Sequence, residues 1–210
     1  MISQGPNPDC CAVILAGGLN SRMGGNNKAF LKVGGQTILN RLLETITPFF
    51  NEILLVTREP EPYRDLPARI VTDIYPARSS LTGIHAGLKN AAAPMAFVLP
   101  CDAPFVKPGL VRFLLEEIEP SLDVIVPLID SHYEPLCAIY SKRCLPHIED
   151  QLDRDDFTIL NFFDRVNLKA IPARRIQTAD NEMVSFFNVN TPQALEESQK
   201  MAGKRTSSFH

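Results

Sequence analysis

Segment 13–28 reads VILAGGLNSRMGGNNK and gathers Gly17, Gly18, Gly24, Gly25, Arg22 and Lys28 in one short stretch. Glycines lack a Cβ, so backbone N–H groups there can approach phosphate oxygens closely. A guanidinium fork and an ammonium point charge in the same loop suit a polyphosphate. The spacing is neither a Walker A loop nor G-x-G-x-x-G. A Gly-rich turn carrying two solvated cations is the competing reading. Two acids add the opposite charge. Asp73 ends the run RIVTD, and Asp102 lies in VLPCDAPFV. A carboxylate at a strand end can hold Mg²⁺, which in turn binds phosphate oxygens. Either acid could instead cap a turn or the next helix. Asn188 and Asn190 in FFNVNTP are two apart, so on extended chain they face the same side. Their amides can donate to a ligand or simply turn the chain into its last helix.

Alternating strands and helices must position these residues. Cys11–Leu15 is a short apolar run ending at glycines, and residues 16–28 form the loop after it. Thr37 caps a helix whose Leu39, Leu42, Leu43 and Ile46 share one face. Strands follow at Ile53–Thr57 and Arg69–Thr72. Leu81–Ala92 reads as a helix, and Met95–Leu99 as a strand ending at Pro100. Pro108 opens a helix with Leu110, Phe113 and Leu114 inward. Val124–Ile129, Leu136–Tyr140 and 168–172 read as strands, 142–152 and 156–164 as helices. Thr191 and Pro192 start the last helix, with Leu195 inward. Residues 1–9 and 203–210 read as loose tails.

This alternation predicts an α/β protein: a three-layer αβα, Rossmann-like fold with a mostly parallel central sheet. The continuously apolar runs ILLV and AFVL fit strands covered on both faces. Residues 1–210 are expected to form one domain, with a core over about 11–200. Such sheets bind ligands beyond the C-terminal ends of their strands. The glycine loop, Asp73 and Asp102 all fall there.

LAGG-x-x-x-RMGG-x-x-K resembles the signature loop of nucleotidyltransferases that activate small molecules with an NTP, and most of all the molybdenum cofactor guanylyltransferase family. CD-x-P, SSLTGIHAGL at 79–88, EPLCAIY at 134–140 and FFNVNTP at 186–192 follow in the family's order, so the likeness runs from about 12 to 198. The resemblance implies transfer of GMP from GTP to molybdopterin, with Mg²⁺ as cofactor and pyrophosphate released. It implies Arg22, Lys28 and Asp102 as catalytic residues and Asp102 as the metal ligand. Leu15, Ala16, Gly17, Gly18, Lys28, Asp73, Gly83 and Asp102 would bind the nucleotide, and Asn188 and Asn190 the acceptor. Gly83 would let a helix start pass close to the base or ribose.

Five positions in three motifs depart from the family pattern. The loop ends Asn27-Lys28, not Asp-Lys. Ser79, Ser80 and Thr82 stand where the family has Gly, Pro and Ala. Glu134 precedes Pro135 in place of Gln or His. Arg78 could meet phosphate or stay solvated, and His85 reads as exposed or packed, not catalytic. A related enzyme using CTP, or another phosphorylated metabolite, would share fold and loop. A non-catalytic nucleotide- or cofactor-binding module is the remaining class.

Composition bounds the partners. Lys plus Arg number 21 and Asp plus Glu 24, giving a net charge of −3, and hydrophobic residues make up 45%. That is a globular composition, not a disordered one. A sequence pI of about 5.8 argues against a nucleic-acid binder. No apolar run approaches the roughly 20 residues that span a bilayer, and the N-terminus does not read as a signal peptide. The expected setting is the cytoplasm, with GTP and molybdopterin as partners and molybdoenzyme-specific chaperones or other cofactor-biosynthesis proteins beyond them. Cys10, Cys11, Cys101, Cys137 and Cys144 have no metal or disulfide spacing and read as incidental thiols.

Overall fold

The computed structural model describes residues 5–17 and 27–206. Ten strands occur among them: β1 Cys10–Leu15, β2 Lys32–Val33, β3 Gln36–Thr37, β4 Ile53–Val56, β5 Arg69–Val71, β6 Met95–Pro100, β7 Val124–Ile129, β8 His132–Tyr133, β9 Ala138–Ser141 and β10 Leu168–Pro172. Six α-helices join them: α1 Ile38–Ile46, α2 Ser80–Asn90, α3 Pro108–Glu116, α4 Leu145–Leu152, α5 Ala173–Ile176 and α6 Pro192–Thr206. The main sheet has the order β10-β7-β9-β6-β1-β4-β5, with β8 paired to β7. Pairs β1–β4, β1–β6, β4–β5 and β7–β10 are parallel. Only β8 and β9 run against the rest.

Alternation along the central strands divides the core in two. Cys10, Ala12 and Ile14 of β1, with Phe97 and Leu99 of β6, pack against Leu39, Leu42 and Ile46 of α1 and Leu110 and Leu114 of α3. Cys11 and Val13, with Ala96 and Val98, face Leu81, Ile84 and Leu88 of α2 and Ile148 of α4. Both faces are therefore covered, which accounts for the unbroken apolar runs. Register then fixes the ligand edge. Leu15 lies level with Val56 and with Pro100, and Val56 with Val71. The chain leaves β1, β4, β5 and β6 at one edge, so the loops after them open together.

The caps form as their residues dictate. Thr37 Oγ1 accepts from Asn40 N at 3.2 Å to start α1. Thr191 Oγ1 accepts from Ala194 N at 3.1 Å to start α6. Ser79 and Thr82 build a capping box on α2: Ser79 Oγ accepts from Thr82 N at 3.1 Å, and Thr82 Oγ1 accepts from Ser79 N at 3.4 Å. The departure at these two positions thus has a local function.

Several expectations are corrected. The segment expected to be helical at 156–164 is a 3₁₀ run, Ile159–Arg165. Gln151 Nε2 donates to the carbonyls of Asp156 and Thr158, which takes up oxygens that would begin an α-helical ladder. The expected strand Leu136–Tyr140 begins only at Ala138, because Cys137 N closes a turn on Glu134 O at 3.0 Å. The β2–β3 hairpin was not foreseen. Gly34 and Gly35 turn it with φ of 60° and 85°, which side-chain-bearing residues adopt at a cost. Strand β8 and the single-turn α5 were also not foreseen. Of the expected tail 1–9, residues 1–4 lie outside the described residues, and Asn7 is tied down, its N donating to Phe49 O at 2.9 Å. At the other end α6 continues to Thr206.

Candidate active site

A cavity of about 240 Å³ opens at the shared strand edge. Leu15, Ala16 and Gly17 reach it from β1, and Asn27 and Lys28 from the far end of the glycine loop. Thr57 and Arg58 follow β4, and Asp73 follows β5. Arg78, Ser79, Ser80 and Gly83 come from the start of α2. Cys101 and Asp102 follow β6. Leu136, Asn188 and Asn190 close the other side. Every described residue assigned a site role from sequence therefore lines this one cavity: Leu15, Ala16, Gly17, Lys28, Asp73, Gly83, Asp102, Asn188 and Asn190. Gly18 and Arg22 lie outside the described residues.

Lys28 stands at the centre. Asn27 Oδ1 accepts from Ala29 N at 3.2 Å and caps the 3₁₀ turn Lys28–Phe30, while its Nδ2 donates to Tyr63 Oη at 2.7 Å. The amide at 27 thus anchors the lysine at both of its polar atoms. Lys28 Nζ donates to Asn190 Oδ1 at 2.7 Å and sits 3.6 Å from Asp102 Oδ2. The Asp102 loop and the asparagine segment are themselves joined, since Val189 N donates to Asp102 O at 2.9 Å. Val189 is fully buried with Val33, Ile38, Phe105 and Ala202, which directs its two asparagine neighbours toward the cavity. Asn188 Oδ1 is buried with no partner among the described residues. A ligand donor would satisfy that oxygen.

Burial pushes the Asp102 carboxyl above the ordinary carboxylate range, and the Lys28 charge opposes this without cancelling it. A second cation at this oxygen would lower the cost of the buried charge. Among the described residues no three acidic, histidine or cysteine side chains cluster to cage a metal. Mg²⁺ does not need such a cage: it is held by one or two carboxylates together with substrate phosphates. Asp102 fits that donor set.

Asp73 is more committed. Its Oδ1 accepts from Tyr75 N at 2.9 Å and its Oδ2 pairs with Arg58 Nη2 at 3.3 Å. The turn-capping role is therefore present beside its place on the cavity wall. At Gly83 the close approach is to protein. A Cβ there would lie 3.1 Å from Leu15 Cδ2, so the glycine seats α2 against the end of β1. A Cβ on Gly17 would meet nothing within 4 Å among the described residues. His85 is packed: it is 1% exposed, and its Nε2 lies 3.0 Å from Glu149 Oε1. Thr57 and Arg58 were missed from sequence. Their signal was positional, as the residues just beyond an apolar strand level with β1.

A doubly wound sheet whose strand-end cavity carries both charge signs has the form of a nucleotide-binding α/β protein. The family model described as the MobA-like NTP transferase domain matches residues 12–166. Molybdenum cofactor guanylyltransferase from Desulfosudis oleivorans is 37% identical over 187 residues, covering 89% of this chain and 93% of that protein. The enzyme of the same name from Vibrio cholerae is 31% identical, covering 89% and 90%. Among solved structures, molybdopterin-guanine dinucleotide biosynthesis protein A from Archaeoglobus fulgidus superimposes with a TM-score of 0.81 at 28% identity, over 92% of this chain and 98% of that one. The chain belongs to the MobA-like NTP transferase family and is a nucleotidyltransferase.

Proposed function

We propose that the protein transfers GMP from GTP to molybdopterin, giving a molybdopterin guanine dinucleotide and pyrophosphate. The names of its relatives support this substrate pair. The observation that carries it is the meeting of two sets of residues at Lys28. Leu15, Ala16, Gly17, Asp73 and Gly83, which we assign to the nucleotide, and Asn188 and Asn190, which we assign to the acceptor, line one cavity, and Lys28 reaches both Asn190 and Asp102.

The phosphate monoester of the acceptor attacks the α-phosphorus of GTP. A bond forms from its oxygen to that phosphorus, the α–β bridging bond breaks, and pyrophosphate leaves. A phosphate monoester has a second pKa of about 6, so at neutral pH it is largely dianionic and needs no dedicated base. Catalysis is then in-line positioning and charge stabilisation. Asp102 would hold Mg²⁺, which supplies charge neutralisation on the triphosphate when bound. The backbone at Gly17 and Gly18 cradles phosphate. Lys28 and Arg22 neutralise charge building on the leaving pyrophosphate. Asn188 and Asn190 orient the acceptor.

One domain with a core over about 11–200 is supported by a single sheet that takes strands from Cys10 to Pro172. Five free cysteines fit a reducing, cytoplasmic setting. Among the described residues no helix is long and apolar enough to cross a membrane. The product would pass to molybdoenzyme-specific chaperones or other proteins of cofactor assembly. The test is pyrophosphate release with molybdopterin and each of GTP, CTP, ATP and UTP. Turnover with GTP far above the others is expected. A preference for CTP would move the enzyme to cytidylyl transfer, and no release with any nucleotide would favour a binding module.

A further inference from the structure

Arg58 has no role assigned above, yet among the described residues its guanidinium is the most heavily engaged cation at the cavity. It follows the last rung between β4 and β5, where Thr57 N donates to Val71 O at 3.0 Å. From there it reaches across to the segment between β5 and α2. Nη1 donates to Pro76 O at 2.9 Å, and Nη2 donates to the carbonyls of Tyr75 and Ala77. Nη2 also pairs with Asp73 Oδ2 at 3.3 Å. Among the described residues no backbone N–H donates to the carbonyls of residues 75–77. Three consecutive peptide oxygens thus face one guanidinium, and Thr82 Oγ1 adds a donor to Ala77 O at 3.5 Å. The segment they belong to delivers Arg78, Ser79 and Ser80 to the cavity wall.

We infer that Arg58 is a positioning residue that clasps segment 73–79 and thereby sets the nucleotide side of the cavity. This rests on the nucleotidyltransferase reading of the site. Two features separate the clasp from a phosphate contact. Asp73 already balances the Arg58 charge, whereas Lys28 has only a 3.6 Å pairing and a neutral amide. The acceptors of Arg58 are spread over four groups, which a planar fork of five donors can span and an ammonium cannot. A clasp helps bind the substrate and the transition state alike, so its loss raises KM and spares kcat.

Arg58→Lys and Arg58→Ala are compared with the parent by three readouts: hydrogen exchange of the nucleotide-free protein, calorimetric binding of GTP, and steady-state kinetics. In both variants the peptide covering 74–80 is expected to exchange about tenfold faster or more, with β1 and β6 unchanged. GTP binding and KM for GTP should weaken about tenfold or more, with kcat and the acceptor KM within about threefold. The lysine should fail to rescue. Unchanged exchange over 74–80 in both variants would overturn the clasp. So would a fall in kcat at constant KM, or rescue by lysine, either of which would make Arg58 a phosphate ligand. The lysine variant decides if the alanine variant unfolds. Exchange and GTP binding need no acceptor, so they remain decisive even if molybdopterin proves not to be the substrate.

Discussion

Lys28 is held between an amide oxygen and a carboxylate on the cavity wall, and in the proposed reaction its charge would serve a phosphate. Lys28→Ala is expected to cost about 2–4 kcal/mol in transition-state stabilisation, read as kcat/KM, with much less effect on pterin affinity. Equal losses in rate and affinity would show uniform binding instead. Asp102→Ala should remove metal-dependent turnover while circular dichroism remains native; retained activity would end the metal assignment. Asp102 also makes a pH prediction. Burial raises its carboxyl pKa, so the folded protein keeps this proton to higher pH than the unfolded chain. Stability from this group therefore falls as pH rises through the interval between the unfolded and folded values. Ligand-free Asp102→Asn does not titrate there, so its Tm should gain on the parent as pH rises above the ordinary aspartate value of about 4. A difference that stays flat with pH would contradict the assignment. Residue types made Lys28, Asp102 and the two asparagines candidates, and the family resemblance chose among their readings. Position after β4 pointed to Arg58 as well, but its role was not legible, because its acceptors are peptide carbonyls about 17–19 residues later in the chain.

Helix α2 sits so close to the sheet that its glycines matter. A Cβ on Gly87 would stand 2.5 Å from Cγ1 and 2.9 Å from Cγ2 of Val13, on the central strand. Gly87→Ala must push the helix off β1 or twist the valine, and should cost about 1–3 kcal/mol in chemical denaturation. Gly87 does not line the cavity, so KM for GTP should shift far less than stability does; an unaltered unfolding midpoint would mean that Val13 gives way freely. The other end of the range is the segment 156–164. Its apolar spacing suits a helix, but Gln151 takes the carbonyls of Asp156 and Thr158, and Phe162 and Phe163 both turn inward. A tertiary hydrogen bond from a residue five to seven positions earlier overrides the local pattern. Strand β9 is the same lesson in a sheet. Its apolar run was legible, but its antiparallel place between β6 and β7 was not, because direction depends on where the preceding turn sends the chain.

The molecule as a whole keeps its thiols out of reach. Cys10, Cys11, Cys137 and Cys144 are buried and Cys101 partly so, and burial pushes Cys11, Cys101 and Cys144 up to about 12. At neutral pH a thiol reagent should label the native protein slowly and all five cysteines after unfolding. Rapid labelling of the native state would show an activated thiol where none is assigned. The small net charge conceals a divided interior: Lys28, Arg58 and Arg78 share one cavity with Asp73 and Asp102. The sequence by itself determined the layer order, the apolar strands, the caps at Thr37 and Thr191, and the family, because these depend on local periodicity, short-range hydrogen bonding and motif order. The tertiary structure alone decided which loops meet. Register makes Leu15, Val56, Val71 and Pro100 level, and buried Val189 returns Asn188 to the shared cavity and Asn190 to Lys28 from about 160 positions away. That convergence follows from packing between distant elements, which spacing along one chain does not encode.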